Sequence, residues 1–285
     1  MMGTLGARLE ALAAALLFST GGAAIKATTL TNWQVASFRC GVAALAIALF
    51  IPASRRNWNR QVPLVALFYA ATLAMFVLAT KLTTAANAIF LQSTAPLYLL
   101  AAGPFILKER ARRVDYLFIL ILAIGLACFF IGEETPSGIA LDPVRGNFLA
   151  ALTGMTWAGT LGGLRWIQNR HPGVEVGLPT ILCGNLMAFL FCLTQAVPVR
   201  SSTPLDWSLI LYLGLIQVGL AYVLLSRAVK RLPALETSIL LLSEPAMNPI
   251  WTWLVHGETP GPWAIGGGLL ILGATAGRLF TRLGR

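Results

Sequence analysis

Charged side chains are scarce in this sequence. Asp, Glu, Lys and Arg make up 11% of its 285 residues, against 57% hydrophobic, whereas an ordinary soluble domain carries about 25% charged residues. The shortage excludes an aqueous globular fold and leaves lipid as the solvent. Histidine is scarcer still: His171 and His256 each stand alone, with no cluster of His, Asp or Glu around them. Acid–base or metal-dependent catalysis would need such a cluster, so the chain does not read as an enzyme and no cofactor is expected. The four cysteines, Cys40, Cys128, Cys183 and Cys192, share no CxxC spacing and read as small packing residues rather than a disulfide or metal site. A Gly-rich loop ending in Gly-Lys-Ser/Thr is also missing, which excludes a P-loop ATP-driven pump.

Long apolar runs, by contrast, fill the chain. A hydrocarbon core of roughly 30 Å takes about 20 apolar residues as a helix. Runs of that kind predict helices at about 8–26, 33–52, 62–80, 85–107 and 114–132, then at about 146–167, 176–198, 207–229, 234–255 and 262–280. The first run follows Arg8 and resembles a secretory signal, but nine similar runs come after it, so it reads as a helix. The fold class expected is an all-α membrane protein with ten transmembrane helices.

The loops orient it. With the N-terminus in the cytoplasm, Arg8, Arg55, Arg56, Arg60, Lys108, Arg110, Arg112, Arg113, Arg165, Arg170, Arg227, Lys230, Arg231, Arg278, Arg282 and Arg285 fall inside, sixteen of the 21 basic residues. That bias follows the positive-inside rule and puts both termini in the cytoplasm of a bacterium, with the chain multi-pass in the inner membrane. The net charge of +10 therefore serves orientation, and no nucleic-acid partner is expected.

The two halves also resemble each other. A shift of 149 positions pairs Ala79 with Ala228, Lys81 with Lys230, Ala85 with Ala234, Pro96 with Pro245 and Glu109 with Glu258. Slightly different shifts pair Phe18 with Trp157, Lys26 with Arg165 and Cys40 with Cys183. This divides the chain into a first repeat over 1–135, a connecting loop over 136–145 on the periplasmic side and a second repeat over 146–285. Five spans per repeat is an odd number, so the second copy enters the membrane the opposite way. Inverted repeats are a transporter signature, because two near-equivalent halves can rock around a shared central site.

The paired segments carry a resemblance. Ala85 to Pro96 followed by Lys108-Glu109, and Ala234 to Glu244-Pro245 followed by Gly257-Glu258, resemble the drug/metabolite transporter superfamily, specifically its EamA-type ten-helix exporters. The likeness spans essentially the whole chain and is greatest to YddG-like aromatic amino acid exporters. It departs in one place: Ala95 stands where the second copy has Glu244. The resemblance implies a secondary or facilitative exporter of small metabolites, foremost (aromatic) amino acids, working by alternating access around a central cavity. Exchange of another metabolite or drug, such as a nucleotide-sugar or sugar phosphate, is the alternative, with a channel or lipid flippase behind it. Only Arg39, Lys26 and Lys81 come near mid-membrane among the basic residues, which favours a zwitterion or neutral solute over an anion.

Polar groups at bilayer depth are the candidate substrate-binding residues, since each costs a few kcal/mol unless it faces a partner or a wet cavity. Thr237, Glu244, Asn248 and Trp251 fall on one helical stripe, and Asn87, Leu91, Thr94 and Tyr98 on the equivalent one. Pro96 and Pro245 each free a carbonyl one turn earlier and are expected to kink their helices. Glu244 reads either as a structural carboxyl or as a site for a substrate ammonium or a proton. Arg39 reads as structural, snorkelling outward or bonded to a carbonyl. Tyr69, Phe76, Tyr98, Trp157 and Tyr222 could wall a pocket for a flat apolar side chain, with Ser19, Thr20 and Gln217 as further polar candidates. Gly273 and Gly277 have the spacing for close helix contact, which suits a scaffold role and a monomer or weak homodimer.

Overall fold

The computed structural model of this chain describes residues 2–106, 140–257 and 259–283, with positions 117, 120, 121, 123–125, 127 and 128. The helix expected over 114–132 lies largely outside the described residues. So do Lys108-Glu109, Glu258 and the first part of the connecting loop, 136–139.

The described residues form helices joined by short loops, with no strand among them. In the first half run α1 (Met2–Ser19), α2 (Gly21–Ala27), α3 (Asn32–Phe50), α4 (Gln61–Leu82), α5 (Ala85–Gln92) and α6 (Ala95–Ile106). The second half holds α7 (Pro143–Arg170), α8 (Gly177–Ala196), α9 (Pro204–Tyr212), α10 (Ala221–Arg231), α11 (Ala234–Leu240), α12 (Ser243–His256) and α13 (Pro262–Leu283). Local chemistry sets many of these starts. Thr31 and Gln34 close a capping box at α3, and Thr203 and Asp206 do so at α9 behind Pro204. Five stretches, Leu5–Ala27, Asn32–Phe50, Gln61–Leu82, Gly177–Ala196 and Pro204–Arg231, are long and apolar enough to cross a membrane. Their outer faces carry large apolar side chains: Leu45, Leu49, Phe50, Leu190 and Phe191 are all exposed. Small residues such as Ala36, Ala43, Ala66 and Gly184 fill the contacts between helices. That inside-out distribution is what lipid demands, because packing rather than water exclusion holds helices together there.

Three of the expected helices are not continuous, which corrects the sequence reading. The run over 8–26 breaks at Thr20, where Ser19 and Thr20 turn their hydroxyls back to Leu16 O and Leu17 O and a Gly21-Gly22 pair follows. The run over 85–107 breaks at Ser93-Thr94, and that over 234–255 at Leu241-Leu242. Proline, two or three residues beyond each break, explains the last two, since it supplies no N–H to the preceding turn. A fourth irregularity joins α9 to α10: Leu213–Leu220 is wound as a π-helix, an element usually confined to a single turn and frequent at functional sites.

Packing crosses between the halves. α4 lies on α7, α3 on α8, α1 on α10, and α5 on α12. Exchanging the repeats turns the first of these contacts into the third, leaves the second unchanged, and turns α5–α12 into α11–α6, which is also present.

The same exchange relates two polar clasps. At one end of the bundle Lys26 donates to Thr83 O at 3.0 Å, and Lys81 donates to Thr28 O at 2.8 Å. At the other end their repeat partners act alike: Arg165 donates to Val229 O and Lys230 O, each at 3.1 Å, and Lys230 pairs with Glu175 beyond α7.

Candidate functional site

The breaks in α5/α6 and α11/α12 fall at repeat-related positions and face one another. At the first, Ser93 Oγ donates to Ile89 O at 2.6 Å and Thr94 Oγ1 to Leu91 O at 2.7 Å, so the side chains satisfy carbonyls that the ended helix leaves over. At the second, Ser243 Oγ donates to Leu240 O at 2.9 Å and the Glu244 amide to Leu241 O at 3.0 Å. Gly154 of α7 lies hard against the first break. A Cβ there would stand 2.6 Å from Thr94 Oγ1 and 2.9 Å from Leu91 O.

Between the breaks lies a cavity lined by Phe18, Arg39, Thr72, Leu73, Phe76, Gln92, Trp157, Gln217, Val218, Tyr222 and Glu244. α1, α3, α4, α5, α7, the π-helical stretch, α10 and α12 thus all contribute to it. A second cleft shares Gln92, Trp157 and Glu244 and runs on to Pro96, Ser238, Leu241 and Leu242. The space is narrow, with room for about one water.

Its wall is aromatic. Tyr222 is the hub, with ring centroids 4.8 Å from Phe18, 4.5 Å from Tyr69 and 5.9 Å from Trp157, all in edge-to-face orientation. Tyr69 stands behind Tyr222 and accepts a hydrogen bond from Asn185 Nδ2 at 2.8 Å.

Two opposite charges also line it. Arg39 is only 1% exposed. Its Nη2 donates to Leu73 O at 2.9 Å and its Nη1 to Gln217 Oε1 at 3.3 Å, while Nε has no partner. Gly214 allows this arrangement: a Cβ there would meet Arg39 O at 2.8 Å, so the π-helical stretch rests directly on the backbone of α3. Glu244 is buried and lines both spaces. Among the described residues neither Arg39 nor Glu244 has a charged partner within 4.0 Å.

Of the residues singled out from sequence, the structure gathers Phe76, Trp157, Gln217, Tyr222 and Glu244 at the cavity, with Tyr69 one layer behind and Pro96 on the adjoining cleft. The others sit elsewhere. Ser19 accepts from Trp251 Nε1 and Thr20 meets the Tyr212 hydroxyl at 2.8 Å, both at the break between α1 and α2. Asn87 donates to Asn147 Oδ1, Thr94 caps its own helix, and Tyr98 is half-buried against the core. Asn248 is fully buried with neither amide atom bonded, and Pro245 is buried at the start of α12. Phe18, Thr72, Gln92 and Arg39 line the cavity without having been chosen as site residues. The lone charge of Arg39 amid apolar residues was the available signal; it does not snorkel, though the carbonyl bond expected of it is present. No group of three or more potential metal ligands occurs among the described residues.

Comparison with known proteins gives three findings. A profile for the EamA-like transporter family matches residues 6–131 and 144–279. Curated relatives include the pseudopaline exporter CntI of Pseudomonas aeruginosa, 26% identical over 93% of this chain and 92% of its own. Another is the threonine/homoserine exporter RhtA of Escherichia coli, 25% identical over 84% of this chain and 78% of its own. A solved crystal structure 18% identical superposes with a TM-score of 0.67 over 96% of both chains, which establishes the likeness of fold.

Proposed function

This chain belongs to the EamA-like transporter family, and on that footing we propose that it exports small metabolites, foremost amino acids with aromatic side chains, by alternating access. The observation that carries the proposal is the cavity beside two facing helix breaks, walled by Phe18, Phe76, Trp157 and Tyr222. Broken helices at mid-membrane let irregular backbone line a cavity rather than lipid, which is where transporters of inverted-repeat design hold substrate. Rings set edge-to-face along the cavity wall suit a flat apolar side chain once the space widens. The names of the two exporters above, for threonine/homoserine and for pseudopaline, support a small amino-acid-like substrate.

In this reading ten helices cross a bacterial inner membrane with both termini inside, in repeats over 1–135 and 146–285. The site residues are Phe76, Trp157, Gln217, Tyr222 and Glu244, with Tyr69 behind them. Ser19, Thr20, Asn87, Thr94, Tyr98 and Asn248 serve the breaks and packing that let the halves move, with Pro96 and Pro245 at the kinks. The present cavity is too narrow for an amino acid, so binding requires the halves to part.

Counterflow into liposomes carrying the purified protein tests this, with labelled phenylalanine, tryptophan, threonine and a sugar phosphate. Saturable uptake of the aromatic amino acids, with KM raised severalfold in Trp157→Ala, is expected. Exchange of the sugar phosphate alone would overturn it.

A further inference from the structure

We propose that Arg39 and Glu244 are the two poles of a zwitterion site, Arg39 taking the carboxylate and Glu244 the ammonium of an α-amino acid. The inference rests on the transport reading above and names the groups that would select the substrate.

A guanidinium 1% exposed among helices in lipid is expensive, and such a charge is ordinarily kept only when it is paired or used. Arg39 has no anionic partner within 4.0 Å among the described residues. It is held by two neutral acceptors, Leu73 O and Gln217 Oε1, and its Nε is unpartnered. A guanidinium offers five N–H donors in a planar fork that matches a carboxylate, so donor capacity is left over beside the cavity. Gln217 and the close seat of Gly214 on the Arg39 carbonyl fix that fork in place.

Glu244 supplies the complement. Its carboxyl is buried, has no ion-pair partner among the described residues and opens onto the same space from the opposite repeat. Both line the same cavity, yet they form no ion pair with each other. A ligand carrying both charges on one α-carbon answers both at once. A ligand carrying one leaves the other buried and unanswered, which is the strongest kind of rejection a site can build. The rings of Trp157 and Tyr222 are then left for the side chain.

Arg39 arises in one repeat and Glu244 in the other, and the first repeat has Ala95 where the second has Glu244. The site is therefore polar although the scaffold is two-fold. A zwitterion would bind in one orientation.

The test is competition against labelled substrate in proteoliposomes, using whichever of phenylalanine and threonine is carried. The competitors are the unlabelled amino acid, its amide, which lacks the carboxylate, and its deamino acid, which lacks the ammonium. The wild type is expected to prefer the amino acid over either analogue by roughly tenfold or more. Arg39→Gln should lose the preference over the amide while keeping that over the deamino acid, and Glu244→Gln should do the reverse. Arg39→Lys and Glu244→Asp should each recover part of the lost preference. Equal competition by the analogues in the wild type overturns the proposal without any variant. So does amino-acid uptake in Arg39→Gln and Glu244→Gln with unchanged competitor ratios, which would leave the transport reading intact. Absence of amino-acid uptake by the wild type removes both.

Discussion

Replacing Asp206 by Asn removes one charge and changes almost no volume, at a side chain that is 1% exposed. Oδ2 accepts from Thr203 N at 2.7 Å, Thr203 Oγ1 at 2.8 Å and Thr29 Oγ1 at 2.7 Å, and Oδ1 accepts from Thr29 N at 2.7 Å. The carboxylate thus ties the start of α9 to the loop between α2 and α3. An Asn oxygen in the Oδ2 position keeps three of these bonds in neutral form, each weaker by roughly 0.5 kcal/mol, and its amide then faces the Thr29 N–H donor to donor, costing about 1–3 kcal/mol more. The expected loss is about 3 kcal/mol, or about 6–12 °C in thermal midpoint for a chain of this size, read by tryptophan fluorescence of the detergent-solubilised protein. Asp142→Asn is the reference. Asp142 caps α7 through the Arg145 amide and pairs with a side chain that is 83% exposed. Asn caps as well as Asp, and such exposed pairs contribute little, so its shift should stay under about 3 °C. A midpoint for Asp206→Asn as small as that of Asp142→Asn would refute the reasoning.

Gly154→Ala should destabilise by about 1–2 kcal/mol, because its Cβ meets Leu91 O and Thr94 Oγ1. Gly159→Ala should cost less in the same melt, since the atoms nearest its Cβ belong to the ring of Phe68, which is 39% exposed and can turn outward, rather than to backbone. The Arg8–Glu236 ion pair is partly open to its surroundings at 41% and 23%, so Arg8→Ala should shift stability by less than about 1 kcal/mol; a larger loss would show that α1 depends on it. Lys26→Met combined with Lys81→Met releases one clasp and, at about 1 kcal/mol per hydrogen bond, should speed labelling of a Val218→Cys thiol from that end by roughly tenfold or more. An unchanged rate would mean that the clasp does not close the cavity.

Helix positions were largely legible because a run of about 20 apolar residues has few alternative fates, and the repeat was legible because residues such as Pro96 and Pro245 keep their spacing. What the sequence hid were departures from regular winding. Periodicity assumes 3.6 residues per turn, so Asn87 and Thr94 fell on one stripe with Tyr98 although the chain breaks between them. Prolines hinted at two breaks; the break at Thr20 had only a Gly21-Gly22 pair, and the π-helical stretch only Gly214 and Gly219, five apart. Gln217 reaches the cavity because of that stretch. Arg39 was undervalued for a different reason: a single charge in an apolar run can snorkel, and only the tertiary packing of Leu73 and Gln217 around it shows that it does not.

The paired clasps have a practical consequence. Lys26 and Arg165, and Lys81 and Lys230, stand at paired positions of the two family segments; through their long basic side chains Lys26 and Lys81 fasten one end of the bundle, and Arg165 and Lys230 the other. A substitution at one clasp therefore has a counterpart position at the other. Changing one clasp loosens one end of the bundle and leaves the other as it is, so the two ends can be varied separately and compared.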